Sequence, residues 1–253
     1  MIRRTRVIPV ILIHNGGVYK TVRFGKPVYI GDPINAIRLF NDMEVDEIVV
    51  LDIDASREMR EPNYSFIQEL ASEAFMPFAY GGGIRSVEQA TRILQSGVEK
   101  IVIGHSALVQ PDLINQSCSN FGSQSVIVCI DYTRKIFGGY HVYDHVGSRT
   151  APLKLMDAAK SYALRGAGEI LLQCVDRDGQ MQGLDTDTIS LVAGELEIPI
   201  IACGGAGQLD HLQAAALSGA SAIAAGSMFV FHGKQKGVLI NYPKESILRK
   251  YIN

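Results

Sequence analysis

Ala79-Tyr80-Gly81-Gly82-Gly83-Ile84-Arg85-Ser86 and Ala202-Cys203-Gly204-Gly205-Ala206-Gly207 are two versions of one glycine turn. Glu47 and Glu169, Asp54 and Asp176, Gly82 and Gly204, Gly97 and Gly219, and Gly104 and Gly226 are all separated by the same 122 residues. One offset held over that span marks a duplicated unit. Each copy reads apolar run, acidic loop, helix, apolar run, Gly-Gly turn, helix, apolar run and small-residue turn. That is the strand and helix alternation of a parallel α/β protein.

Outward from the turns, eight apolar runs read as strands: residues 7–13, 47–52, 77–80, 100–103, 125–130, 169–173, 198–202 and 221–225. The β-branched run at 47–52 is of the kind buried on both faces of a parallel sheet. Helical stretches fall between them, among them 150–165 and 209–218, with Asp32-Pro33 capping a helix to about Asn41 and Ser86 capping the next. Eight strand–helix units in 253 residues predict a single-domain (β/α)8 TIM barrel over residues 1–253, built from two half-barrels, with its site at the C-terminal ends of the strands. The long stretch 132–149, rich in Gly, Tyr and His, reads as a functional loop after strand five.

A hydrophobic content of 47% supplies a large core, and the net charge of −2, without a basic block, argues against nucleic acid. Cys118, Cys129, Cys174 and Cys203 lack zinc spacing and read as buried free thiols of the cytoplasm. No apolar run has the ~20 residues of a membrane span. The histidines show no metal-ligand spacing, so neither metal nor cofactor is expected; His14 and His105 stand at strand ends, while His141, His145, His211 and His232 read as loop or surface residues.

Gly82-Gly83 and Gly204-Gly205, with the small-residue turns at Gly104 and at Gly226-Ser227, offer backbone N–H groups at helix starts and predict two phosphate pockets facing each other across the mouth. Tight turning alone is the competing explanation of the glycines. Asp52, Asp131 and Asp176 close apolar runs, and Asp131 is the candidate proton shuttle, against a capping or loop-ordering role. Asp178-Gly179 reads as a turn. Arg6, Glu47, Lys100 and Glu169 stand at strand starts on the opposite end; spacing alone leaves open whether they pair into a ring or sit idle at the surface.

Arg6-Val7-Ile8-Pro9, Gly31-Asp32-Pro33, Gly81-Gly82-Gly83-Ile84-Arg85, Gly166-Ala167-Gly168-Glu169 and Asp176-Arg177-Asp178-Gly179 resemble the cyclase subunit family of imidazole glycerol phosphate synthase, along essentially the whole chain. The resemblance implies a glutaminase partner in a heterodimer at the N-terminal face, ammonia passing up through the barrel, and a doubly phosphorylated ribulosyl substrate at the C-terminal face. It implies that Arg6, Glu47, Lys100 and Glu169 form the ammonia gate, and that Lys20, Asp52 and Asp178 serve the substrate loop. The family's catalytic pair of Asp residues is broken: the second is Asp131, but the first falls on Leu12, in a register fixed by Pro9 and by Asn15-Gly16. Gly104-His105 and Gln173 also depart from the family pattern. These departures resemble a paralogous group serving amidination of a surface-polysaccharide sugar, with a sugar amidotransferase as a further partner. A histidine-pathway cyclase and a silent scaffold for the glutaminase are the alternatives.

Overall fold

The computed structural model describes residues 4–135, 138–233 and 235–252. The first half runs β1 (Arg6–His14), β2 (Gly17–Lys20), β3 (Val28–Gly31), α1 (Pro33–Asp42), β4 (Ile48–Asp52), α2 (Tyr64–Glu73), β5 (Phe78–Gly81), α3 (Val87–Gln95), β6 (Lys100–Ile103), α4 (His105–Val109) and α5 (Asp112–Phe121). The second runs β7 (Val126–Lys135), β8 (Gly139–Asp144), β9 (Arg149–Lys154), α6 (Leu155–Leu164), β10 (Glu169–Cys174), α7 (Thr186–Glu195), β11 (Ile200–Cys203), α8 (Leu209–Leu217), β12 (Ala222–Ala225) and α9 (Ser227–Val230). A small hairpin and α10 (Glu245–Tyr251) follow.

Eight strands close into a parallel barrel in the order β1-β4-β5-β6-β7-β10-β11-β12, with β12 pairing back onto β1. The expected (β/α)8 barrel is therefore the observed one. Register fixes what faces inward: Val10 pairs with Val49, Val49 with Ala79, Val102 with Ile127 and Leu171 with Ile201. Paired residues point to the same side, so these side chains form an apolar column inside the barrel. A second, larger core lies between strands and helices, with Ile37 and Phe40 of α1 and Leu212 of α8 fully buried. Burying a side chain of that size contributes roughly 1.5–3 kcal/mol. The caps sit where expected, Asp32 Oδ1 accepting from Asn35 N–H at 2.8 Å and Ser86 Oγ from Gln89 N–H at 3.3 Å.

Two sequence expectations need correction. Over its described residues the stretch 132–149 is not a loop: β7 runs three residues past its last parallel pair with β10 and pairs antiparallel with β8, which pairs with β9. The helix expected from Thr150 starts only at Leu155, because 149–154 belong to β9, where Pro152 fits an edge strand and would break a helix interior. A similar hairpin, β2–β3, rises after β1, so the duplication includes both hairpins.

Candidate functional site

A cavity of about 230 Å³ opens at the C-terminal ends of the strands. All seven turn residues, Gly82, Gly83, Gly104, Gly204, Gly205, Gly226 and Ser227, line this one cavity, with Leu12, Asp52, Asp131, Asp178 and Lys20. Gly82 and Gly204 have φ of 128° and 98°, and an added Cβ would lie 2.6 Å from Asp52 O or 2.5 Å from Cys174 O. Backbone geometry is thus sufficient to require glycine at both positions. The Gly83 N–H is moreover occupied, donating to Ser56 Oγ at 3.2 Å.

Lys20 does not sit on an open loop. It lies on β2, only 4% exposed, and its Nζ donates to the Val10 carbonyl inside the mouth. Burial pushes its ammonium down to about 8, partly offset by the Asp178 carboxylate. Asp178 is more than a turn residue: Oδ2 accepts from Thr21 Oγ1 at 2.9 Å and from Phe24 N–H at 3.4 Å, clamping the first hairpin over the mouth. Burial raises its carboxyl above the ordinary range, against the bonds from Thr21 and Phe24 and the charge of Lys20. The Asp52 carboxylate caps its own loop, accepting from the N–H groups of Asp54 and Ala55 at 3.0 Å and from Arg60 at 3.2 and 3.3 Å.

Asp131 has an unexpected partner. His145 Nδ1 lies 2.8 Å from its Oδ2, and the half-buried Cys129 Sγ lies 3.5 Å from Oδ1. The His105 ring stands edge-on to His145 with centroids 5.9 Å apart, its Nδ1 3.1 Å from Asp144 Oδ1 but outside hydrogen-bonding geometry. His145 is a loop residue as expected, in the turn after β8, but it lines the cavity, whereas His141, 7% exposed on β8, is neither loop nor surface. A Gly138-Gly139 turn between β-rich runs was the sequence signal for the hairpin that delivers His145. His14 is the last residue of β1, its Nδ1 2.7 Å from Asp54 Oδ1.

At the other end of the barrel, Lys100 Nζ lies 3.0 Å from Glu47 Oε1 and 2.7 Å from Glu169 Oε1, while Arg6 bonds the second oxygen of each carboxylate. The four residues form a closed ring of alternating charge. Burial works against ionisation of Glu169, yet the bonds from Arg6 and Lys100 hold its carboxyl below the ordinary range. Cys174 and Cys203 are buried, Cys118 and Cys129 only half-buried, and all four are free. Among the described residues no helix is long and apolar enough to cross a membrane.

A parallel eight-stranded barrel, closed at its N-terminal end by a charge ring and open at its C-terminal end onto a glycine-lined cavity, defines a (β/α)8 protein whose cavity lies where such barrels carry their sites. The profile of the Histidine biosynthesis protein family matches residues 6–236, and the chain belongs to that family. It is 48% identical over 244 residues to a Pseudomonas aeruginosa protein named "Putative imidazole glycerol phosphate synthase subunit hisF2", covering 96% of this chain and 97% of that one. It is 44% identical over 252 residues to the "Putative imidazole glycerol phosphate synthase subunit hisF3" of Vibrio vulnificus, covering 98% and 96%. To the "Imidazole glycerol phosphate synthase subunit HisF" of Natranaerobius thermophilus it is 39% identical over 241 residues, covering 95% and 96%. The chain is thus a homologue of the imidazole glycerol phosphate synthase cyclase subunit.

Proposed function

We propose that the chain receives ammonia from a glutaminase seated on the Arg6, Glu47, Lys100, Glu169 end and passes it along the barrel axis to a phosphorylated ligand at the mouth. The observation that carries this reading is the closed charge ring at one end of an apolar column whose other end is the cavity. An apolar interior favours neutral ammonia over ammonium, because an isolated ion transferred there loses its hydration. Three of the most exposed apolar side chains support docking at the ring end. Phe75, Leu164 and Leu217, 82%, 88% and 84% exposed, all stand at the ends of helices that lead into strands, on the face the ring occupies.

The finer reading is a paralogue whose ammonia serves amidination of a surface-polysaccharide sugar, the ligase chemistry lying in a separate amidotransferase. Leu12 supports it, since an aliphatic side chain at the mouth can neither take nor give a proton. Similarity to relatives bearing the numbered names hisF2 and hisF3 agrees with it. The test is an assay of the barrel with the cognate glutaminase, glutamine and the bis-phosphorylated ribulosyl substrate. We expect co-purification and glutamine hydrolysis, without imidazole glycerol phosphate at an ordinary cyclase rate. Robust turnover would return the protein to histidine biosynthesis, and activation of the glutaminase without ammonia emerging at the mouth would reduce it to a scaffold.

A further inference from the structure

The two half-barrels repeat their contacts as well as their sequence, and the comparison separates structural histidines from the rest. In the first half, Asp54 takes the His14 ring at 2.7 Å and the Asn15 N–H at 2.9 Å. In the second, Asp176 takes the Thr133 hydroxyl at 2.8 Å and the Arg134 N–H at 2.8 Å. Asp54 and Asp176 are repeat equivalents, as are His14 and Thr133, so a hydroxyl does in one half what the imidazole does in the other. His14 is a tie between strand end and loop, both of its ring nitrogens engaged, Nδ1 by Asp54 and Nε2 by the Asn15 side-chain amide at 3.1 Å.

The Asp131–His145 pair has no such counterpart. The repeat equivalent of Asp131 is Leu12, whose aliphatic side chain can make no hydrogen bond. His145 comes from the turn between β8 and β9, held by Val146 and Gly147 N–H bonds to Asp144 Oδ1, each 3.1 Å, and by Arg57 Nε at 3.2 Å from the His145 carbonyl. An ionised carboxylate only accepts, so the Asp131 contact places the ring proton on Nδ1 and leaves Nε2 as the free basic nitrogen. His145 lines the cavity, its Cε1 3.9 Å from where a Cβ on Gly104 would stand.

We propose that His145 is the acid–base residue of the mouth and that Asp131 positions it. Nε2 takes a proton from a phosphorylated, ketose-like ligand and returns it, Nδ1 keeps its own proton, and Asp131 stays ionised throughout. The charged and titratable groups facing His145 are Asp131 and Cys129 on β7, Asp144 on β8, His105 on α4 and Arg57 on the loop after β4. The proposal rests on the phosphorylated-ligand reading above for its substrate class, but not for its geometry.

The experiment uses the whole chain. Ring nitrogen NMR of the ligand-free protein should show neutral His145 protonated on Nδ1, a preference lost in Asp131→Asn; a proton on Nε2 instead overturns the proposal. D-ribulose 5-phosphate, the probe, is then added in deuterium oxide, and exchange of the hydrogens beside its carbonyl is followed. We expect His145→Gln to slow exchange at least about 10²-fold, and Asp131→Asn to slow it by a smaller factor. Exchange that survives His145→Gln and vanishes in Asp131→Asn makes the carboxylate itself the acid–base group and overturns the proposal. If the probe moves none of the Gly82, Gly104, Gly204 or Gly226 amide signals, the phosphorylated-ligand reading fails, and the tautomer measurement still decides the geometry.

Discussion

Lys20 shows how a single buried group sets a pH dependence. Its ammonium has a folded value near 8 against an ordinary 10.5, because full burial penalises the charge. Below pH 8 the lysine is protonated in both states and burying it costs stability. As pH rises from 8 towards 10.5 the folded chain has already lost the proton that the unfolded chain still holds, so the penalty fades. The difference corresponds to roughly 3 kcal/mol at ~1.4 kcal/mol per unit. We expect Lys20→Met to be more stable than wild type at pH 7 and to lose the gain that wild type shows between pH 8 and 10.5, as read by urea midpoints across that range. A midpoint difference independent of pH would mean that the amine is not buried in solution. At Gly82 the constraint is steric: Gly82→Ala places a Cβ 2.6 Å from Asp52 O at a φ of 128°. The expected cost is at least about 2 kcal/mol, a lowering of the melting temperature by roughly 4–8 °C in a chain of this size, and Gly204→Ala should match it.

The hairpins are the elements that separate what was legible from what was not. Asp176 ties the second hairpin to the barrel through Thr133 Oγ1 and Arg134 N–H. Asp176→Asn should therefore raise amide exchange across 132–135 and 138–154 while the protection of β10 and β11 stays, since two charge-assisted bonds contribute roughly 1.5–3 kcal/mol each. The barrel strands were readable because they are apolar on both faces and recur at a fixed offset. The seven turn residues were readable because each lies directly after such a strand. Lys20 was legible only by resemblance, and its burial was not, because no local pattern says that a hairpin folds back over the mouth. His145 was missed for a related reason: its partner Asp131 is fourteen residues away in a stretch whose mixture of Gly, Tyr and His lacks clean alternation. The strand starts gave the ring residues no partners either, since pairing across a barrel axis joins residues 41 and 163 positions apart.

For the whole molecule, the ring couples stability to the passage the barrel is proposed to hold. Each carboxylate of Glu47 and Glu169 is bonded by both cations, so removing one charge leaves its two neighbours with one partner each instead of two and the ring with an unbalanced charge. Leaving a buried charge uncompensated costs about 3–5 kcal/mol, and Glu169→Gln should stay below that range because Glu47 still holds Arg6 and Lys100 and the amide still offers one acceptor. The pH dependence has a definite sign. Glu169 is depressed below its ordinary value in the folded chain, so its contribution is complete above the unfolded carboxylate value near 4.5 and disappears as pH falls through the folded one. Wild type should thus lose stability on acidification below about pH 4.5 more steeply than Glu169→Gln. A ring variant should also fail in a second way that an ordinary structural ion pair would not. With the cognate glutaminase bound, Arg6→Ala should leave glutamine hydrolysis running but lower the fraction of its ammonia that emerges at the mouth, measured against ammonia released to bulk solvent. Added ammonium salt should reach the mouth equally in both proteins, because it enters from that side. If Arg6→Ala delivers ammonia as wild type does while its melting temperature falls, the ring holds the barrel together and gates nothing.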